Sequence, residues 1–300
     1  MVGRVLTMLV EGGVDRAVVV VHPDDRELIN YLRQPPQAAR IRLAYQKQRL
    51  GMAHAVACAS PVIRQLDVLD FVLASCDNLY PEGHVAALVK HRREQKLDAA
   101  LTFLEASREE TAASATPDLH EGLVTRIIEK PAPAEMPSYG NEGSALSVPS
   151  LYALSVGILD YVDRVKPSDR GELEFADALN LFIADGGRVS GCQVSSRMTL
   201  TRPRDLVEIN RRFLRREPGC AALEGEVAAD VTIVPPVRID AGASVGSGCR
   251  IGPEAYLEHG CRVDRNAVVR RAVVLRDGSV GAGELVEESV VSRVGQTPGG

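Results

Sequence analysis

From Ile233 onward the chain repeats itself every six residues: Ile233, Ile239, Val245, Ile251, Leu257, Val263, Val269 and Leu275. Two positions earlier in each unit stands a small or β-branched residue: Val231, Val237, Ala243, Cys249, Ala255, Cys261, Ala267, Val273. Turn-forming residues follow the large apolar one, as in Gly246, Gly252 and Asp264. A fixed period of six implies a parallel β-helix in which each flat face is one hexapeptide, and eight units make about three coils. So short a solenoid is expected to bury a side or an end against another domain or another subunit. The phase slips after Leu275, which predicts a frayed or altered last coil over Gly281–Ser292.

The residues ahead of the repeat read as an α/β domain. Strands are expected at Ala17–Val21, Arg40–Tyr45, Phe71–Ala74, Ala99–Leu104, Leu123–Ile128, Leu151–Val156 and Val189–Val194. Helices are expected at Val2–Leu9, Arg26–Leu32, Met52–Ala59, Val85–Gln95, Phe175–Ile183 and Pro203–Arg216, with a short one at Gly157–Val162. Polar Ser107–Gly122 reads as an exposed turn or hairpin, and Ala132–Gly143 as a proline-rich loop. Three hundred residues at 45% hydrophobic content suffice for two domains, 1–217 and 227–300, with Pro218-Gly219 marking the linker.

Composition excludes several function classes. A net charge of −5 gives no basic footprint, so no nucleic-acid partner is expected. No apolar run approaches the ~20 residues needed to cross a bilayer, and no signal-peptide pattern opens the chain, so no membrane partner is expected. Cys58, Cys76, Cys192, Cys220, Cys249 and Cys261 form no C-x-x-C pair. They read as small buried residues in a reducing cytoplasm.

Chemistry points to Tyr45–Asn78. Phe71-Val72-Leu73-Ala74 is too short for a globular helix and suits a strand buried on both faces of a parallel sheet, which puts Asp77 near its carboxyl end. Open α/β sheets bind ligands there, and a lone carboxylate is well placed for Mg²⁺ carrying phosphate oxygens. Gly51 permits close backbone approach just before a helix N-terminus that favours anions or a hydrogen-bonding base. The same pattern also fits an ordinary β-α-β unit with a turn aspartate. Glu172, Glu174 and Asp177, around the N-terminal end of the helix at Phe175, are explained equally by helix capping.

In order and spacing these pieces resemble the sugar-1-phosphate nucleotidyltransferases, which form a nucleoside-diphosphate sugar and pyrophosphate from an NTP and a sugar phosphate. The resemblance implies a Rossmann-like nucleotide-diphospho-sugar transferase domain followed by a short left-handed parallel β-helix. Gln46-x-x-x-Leu50-Gly51-x-Ala53-His54-Ala55 is similar to the base-recognition segment, with Met52 where members often have Thr. It implies Gln46, Leu50, Gly51 and Met52 as base-binding residues, with UTP or dTTP as the nucleotide. Asp77 matches the metal-binding aspartate and implies Mg²⁺ as cofactor. Glu129-Lys130-Pro131 resembles the segment contacting sugar and phosphate, with Lys130 counted as catalytic beside Asp77. Arg170-Gly171-Glu172-x-Glu174 with Asp177 resembles the sugar-side segment and implies Glu172 and Glu174 as sugar-phosphate ligands. A homo-oligomer through the β-helix follows from the same likeness.

The chain also departs from the pattern. Family members open with a strand and a glycine-rich loop that holds the triphosphate, and this sequence begins after that element. The expectation is a start codon assigned too far downstream, and a chain inactive without the loop. Thr199 stands where the second metal-binding Asp is usual, Cys76 where Gly is usual, and Val148-Pro149-Ser150 where the family has Asn-Ala-Gly. The alternative is a regulatory subunit that keeps the sugar or nucleotide pocket and pairs with an active paralogue.

Overall fold

A computed structural model describes residues 1–35, 37–137, 143–216 and 221–298. Cys220, the Pro218-Gly219 linker and the centre of the proline-rich loop lie outside them. The chain divides into two compact units, Met1–Arg197 and Met198–Gly300.

In the first unit, helix α1 (Val2–Glu11) precedes strand β1 (Ala17–Val21), α2 (Arg26–Leu32) and β2 (Ile41–Tyr45). There follow α3 (Met52–Arg64), β3 (Asp70–Ala74), the two-residue β4 (Asn78–Leu79) and α4 (His84–Glu94). Then come β5 (Ala99–Ser107), α5 (Arg108–Ala112), β6 (Ala115–His120), β7 (Leu123–Glu129), β8 (Ser144–Ser147), β9 (Leu151–Ser155), α6 (Phe175–Ala184) and β10 (Val189–Val194). The main sheet runs β10-β5-β9-β3, with β8 beside the far half of β5, while β1 and β2 pair in parallel as a sheet of their own. Apolar side chains of α3, β5, β9 and α6, among them Val56, Leu101, Leu154 and Leu179, form the largest buried cluster.

Four local differences from expectation have physical causes. Asp70–Ala74 forms a strand, but at the edge of a mixed sheet, antiparallel to β9, with every residue half-buried. An apolar run reports side-chain burial, not the direction of the neighbouring strand. Helix α3 continues through Pro61 to Arg64 because Val56, Ala59 and Ile63 share a buried face, which outweighs one missing hydrogen bond. The segment expected as an exposed turn or hairpin, Ser107–Gly122, does contribute β6 to a hairpin with β7, but α5 precedes it, since Ser107 and Glu110 make a reciprocal capping box that starts a helix. Cys76 is exposed rather than buried, whereas Cys249 and Cys261 are buried.

The second unit holds β11 (Met198–Thr199), α7 (Pro203–Leu214) and a parallel β-helix. One sheet stacks β12 (Ala221–Leu223), β15 (Val237–Ile239), β18 (Ala255–Leu257), β21 (Val273–Val274) and β24 (Ser289–Ser292), closed by antiparallel β25 (Gly295–Pro298). A second stacks β13 (Glu226–Val227), β16 (Ser244–Val245), β19 (Arg262–Val263) and β22 (Ser279–Val280). The third stacks β14 (Thr232–Ile233), β17 (Arg250–Ile251), β20 (Val268–Arg270) and β23 (Leu285–Glu287). Ile239, Val245, Ile251, Leu257, Val263 and Val269 all point into its core.

The solenoid is longer than the hexads predict. Coils begin at Ala221, and Val280, Val286 and Val291 carry the core through the segment expected to fray. The phase slip also comes earlier. Val237 pairs with Ala255, eighteen positions on, whereas Tyr256 pairs with Val273, only seventeen on. The face after Val269 therefore has five residues, with Arg271 in the left-handed region, and Val274 rather than Leu275 turns inward; the face from Val286 to Val291 is short in the same way, with Glu288 in the left-handed region. The helix predicted over Pro203–Arg216 closes the α/β domain in the sequence reading but belongs to the second unit. Its Val207 and Ile209 are buried, and Arg211 and Arg215 both pair with Glu254 of the β-helix.

Burial of one histidine makes stability depend on pH. His84 opens α4 with its Nε2 3.0 Å from the hydroxyl of fully buried Thr102, and burial holds its pKa below the ordinary 6.5. The unfolded chain therefore takes up this proton at higher pH than the folded one. Stability is complete above pH 6.5 and is lost as pH falls through that value toward the folded pKa. Urea midpoints measured between about pH 7 and 5 should fall in the parent protein and fall less in His84→Gln, which cannot titrate.

Candidate active site

The predicted base side is built where β2 runs into α3. Gln46 follows β2, and its Nε2 lies 3.2 Å from the Gly51 carbonyl oxygen and 3.0 Å from His54 Nδ1. Gly51 caps α3 at φ +103°, a left-handed conformation natural to glycine. A Cβ there would lie 2.6 Å from the Leu173 carbonyl oxygen and 2.8 Å from its nitrogen. That close approach has a purpose visible in the backbone: Leu173 N–H donates to Leu50 O at 2.7 Å, and Ala53 N–H donates to Leu173 O at 2.9 Å. The predicted base segment and the predicted sugar segment are thus stitched together. Leu50 presents an exposed side chain, while Met52, the first residue of α3, packs against the main core.

Asp77 lies three residues beyond the end of β3, half-buried. Its carboxylate is oriented by buried Asn78, whose Nδ2 donates to Asp77 Oδ1 at 2.9 Å and to Ser75 Oγ at 2.8 Å. Arg197 in turn donates to Asn78 Oδ1 at 3.2 Å. Sequence reasoning missed Ser75, Asn78 and Arg197. Asn78 was legible as a neighbour of Asp77, but Arg197 is 119 positions away and joins through folding alone.

Glu129 and Lys130 stand at the end of β7, where Asn180 of α6 both donates to and accepts from the Ile127 backbone at 2.8 Å. Lys130 is exposed and held at φ +46°, and its N–H donates to Ser114 O. Strained conformations of this kind cluster at functional sites. Burial pushes the Glu129 carboxyl above its ordinary value, Glu174 pushes it further, and Lys130 and Arg170 pull it back. Asp177 is raised by burial and by Glu174.

Glu174 is buried, accepts from Arg170 Nη2 at 2.7 Å, and as the N-cap residue of α6 makes no side-chain capping hydrogen bond. Its carboxylate is committed to holding the Arg170 turn. Glu172, half-buried on the same turn, makes no side-chain hydrogen bond among the described residues and is free for a ligand. Tyr152 is buried and stacked on Phe175 at 5.7 Å, and burial pushes its hydroxyl well above the ordinary value.

Among the described residues no three His, Cys, Asp or Glu side chains converge on a metal position. One oriented carboxylate suits a hard cation that keeps most of its waters and takes phosphate oxygens, and does not suit zinc. Thr199 belongs to the second unit, with its hydroxyl 3.5 Å from that of Thr201.

Residues 1–199 match the family model described as nucleotidyl transferase. The chain belongs to that family. Residues 233–297 match a second model, described as the GMPPB C-terminal domain. A UTP–glucose-1-phosphate uridylyltransferase from Haloferax volcanii is 28% identical over 207 residues, 68% of this chain and 80% of that one. A glucose-1-phosphate thymidylyltransferase from Streptomyces griseus is 28% identical over 83% of this chain and 70% of its own length. The bifunctional protein GlmU of Methanococcus maripaludis is 24% identical, and the chain spans 52% of it. A crystal structure of UDP-glucose pyrophosphorylase complexed with UDP-glucose superposes with a TM-score of 0.60 at 18% identity, over 71% of this chain and 86% of that one, a likeness of fold. This family of nucleotidyltransferases acts on sugar-1-phosphates and uses a divalent metal. No helix among the described residues is long and apolar enough to cross a membrane.

Proposed function

We propose that this nucleotidyltransferase joins UTP or dTTP to a sugar-1-phosphate with Mg²⁺ bound at Asp77. The observation that carries the reading is the Leu50–Leu173–Ala53 hydrogen-bond pair, which locks the base segment to the acidic sugar segment. Two of the relatives, a uridylyltransferase and a thymidylyltransferase, supply the uridylyl and thymidylyl alternatives. A phosphate oxygen of the sugar attacks the α-phosphorus, the bond from that phosphorus to the β-bridging oxygen breaks, and pyrophosphate leaves with the electron pair. Mg²⁺ supplies charge neutralisation at the phosphate oxygens. Lys130 pairs with the sugar phosphate, and Glu129 and Glu172 accept hydrogen bonds from sugar hydroxyls. Glu174 contributes by fixing Arg170. A homo-oligomer through the flat β-helix faces and a cytoplasmic setting belong to the same reading.

Thr199, at the place of a second acidic ligand, favours a second reading, a regulatory subunit that binds nucleotide or sugar without turnover. Pyrophosphate release from sugar-1-phosphates, each NTP and Mg²⁺, measured on a version of the protein that carries a glycine-rich triphosphate loop, separates the two. Release confined to UTP or dTTP is the expected result. A folded protein that binds nucleotide and stays silent with every NTP establishes the second reading instead.

A further inference from the structure

We infer that His54 is a positioning residue for base selection: it holds the Gln46 amide in the one orientation that offers only its oxygen to the base. The inference rests on the nucleotide-binding reading above.

A carbonyl oxygen can only accept, so the amide atom 3.2 Å from Gly51 O is the NH₂ nitrogen. That same nitrogen lies 3.0 Å from His54 Nδ1. Facing a donor, Nδ1 must be the bare ring nitrogen, and the imidazole proton sits on Nε2. Nε2 faces Cys58 Sγ at 3.7 Å, one helical turn along α3. Burial keeps Cys58 a neutral thiol, able to accept that proton's hydrogen bond. The chain of donors is therefore directional: His54 Nε2 to Cys58, Gln46 Nε2 to His54 Nδ1 and to Gly51.

Both amide hydrogens of Gln46 are used, and its Oε1 has no hydrogen-bond partner among the described residues. A free acceptor suits the N3–H of uracil or thymine. Cytosine presents a bare N3 and would need a donor at that point. Flipping the amide would supply the donor, but would turn Oε1 onto the Gly51 carbonyl, an acceptor–acceptor contact, and would require the His54 proton to leave Nε2 and its Cys58 partner for Nδ1. Two-point reading of adenine by a glutamine amide needs the same NH₂ and is blocked equally.

The test compares UTP with CTP, which share ribose and triphosphate and differ only at the base edge. Calorimetric titration of the full chain with Mg²⁺ should show a UTP preference that His54→Leu lowers about tenfold. His54→Asn, whose side-chain oxygen replaces Nδ1 as acceptor, should restore it. An unchanged preference in His54→Leu overturns the inference while leaving nucleotide binding intact. A parent protein that binds neither nucleotide removes the reading beneath it. Nitrogen-15 spectra of labelled histidine decide the matter even where a variant does not fold: a proton on Nε2 of His54 supports the lock, and a proton on Nδ1 excludes it.

Discussion

In a version of the protein that carries a glycine-rich triphosphate loop, Asp77→Asn is expected to lower pyrophosphate release by about 10²–10⁵-fold, the range over which one well-placed charged group acts in phosphoryl and nucleotidyl transfer. The urea midpoint should hardly move. Asparagine is isosteric, the side chain is half-buried, and its oxygen can still accept from Asn78 Nδ2 at 2.9 Å. What disappears is the negative charge proposed to hold the metal and its phosphates. Asn78→Ala separates position from charge. The residue is 4% exposed, and alanine removes its bonds to Asp77, Ser75 and Arg197. Leaving such partners unsatisfied costs about 1–3 kcal/mol, so this variant should lose stability and only part of the rate. Rates and midpoints measured on both variants decide the assignment. An Asp77→Asn protein that keeps most of its turnover would exclude Asp77 as the metal ligand.

The contrast between Asp77 and Arg197 shows what a linear chain displays and what it hides. Asp77 was legible because an apolar strand and a following carboxylate are neighbours in sequence. Its support from Arg197 arrives across 119 positions and has no local pattern. The β-helix was legible over Ile239–Val269 because each turn repeats the same burial. Where one face shortens to five residues, between Val269 and Val274, strict six-residue counting puts Leu275 inward, and the fold does not. The first coil escaped notice because Ala221–Val227 is largely exposed and carries little apolar signal. Motif matching gave Glu172 and Glu174 the same role. Burial and Arg170 separate them: Glu174 is buried and paired, while Glu172 is half-buried and makes no side-chain hydrogen bond among the described residues.

Gly51→Ala is expected to weaken nucleotide and sugar-1-phosphate binding together, because one close contact supports both subsites. The new methyl would press on Leu173 backbone atoms at 2.6 and 2.8 Å, where no flexible side chain can move aside. Relief requires the loop to retreat, and retreat breaks both Leu50–Leu173 and Leu173–Ala53 hydrogen bonds. Left-handed strain adds about 1–3 kcal/mol, and each lost bond about 1 kcal/mol, so a total of roughly 3–5 kcal/mol is at stake. That is a large share of the 5–15 kcal/mol typical of a folded domain. Gly122 supplies the control. It too has positive φ, +79°, in the hairpin between β6 and β7, but a Cβ there meets nothing within 4 Å. Gly122→Ala carries the strain without the collision and should leave both affinities unchanged. If the two alanines weaken UTP and sugar phosphate equally, strain alone explains Gly51 and the stitch through Leu173 is not what joins the subsites. If Gly51→Ala alone weakens both, while Gly122→Ala matches the parent, base and sugar recognition share a single backbone support.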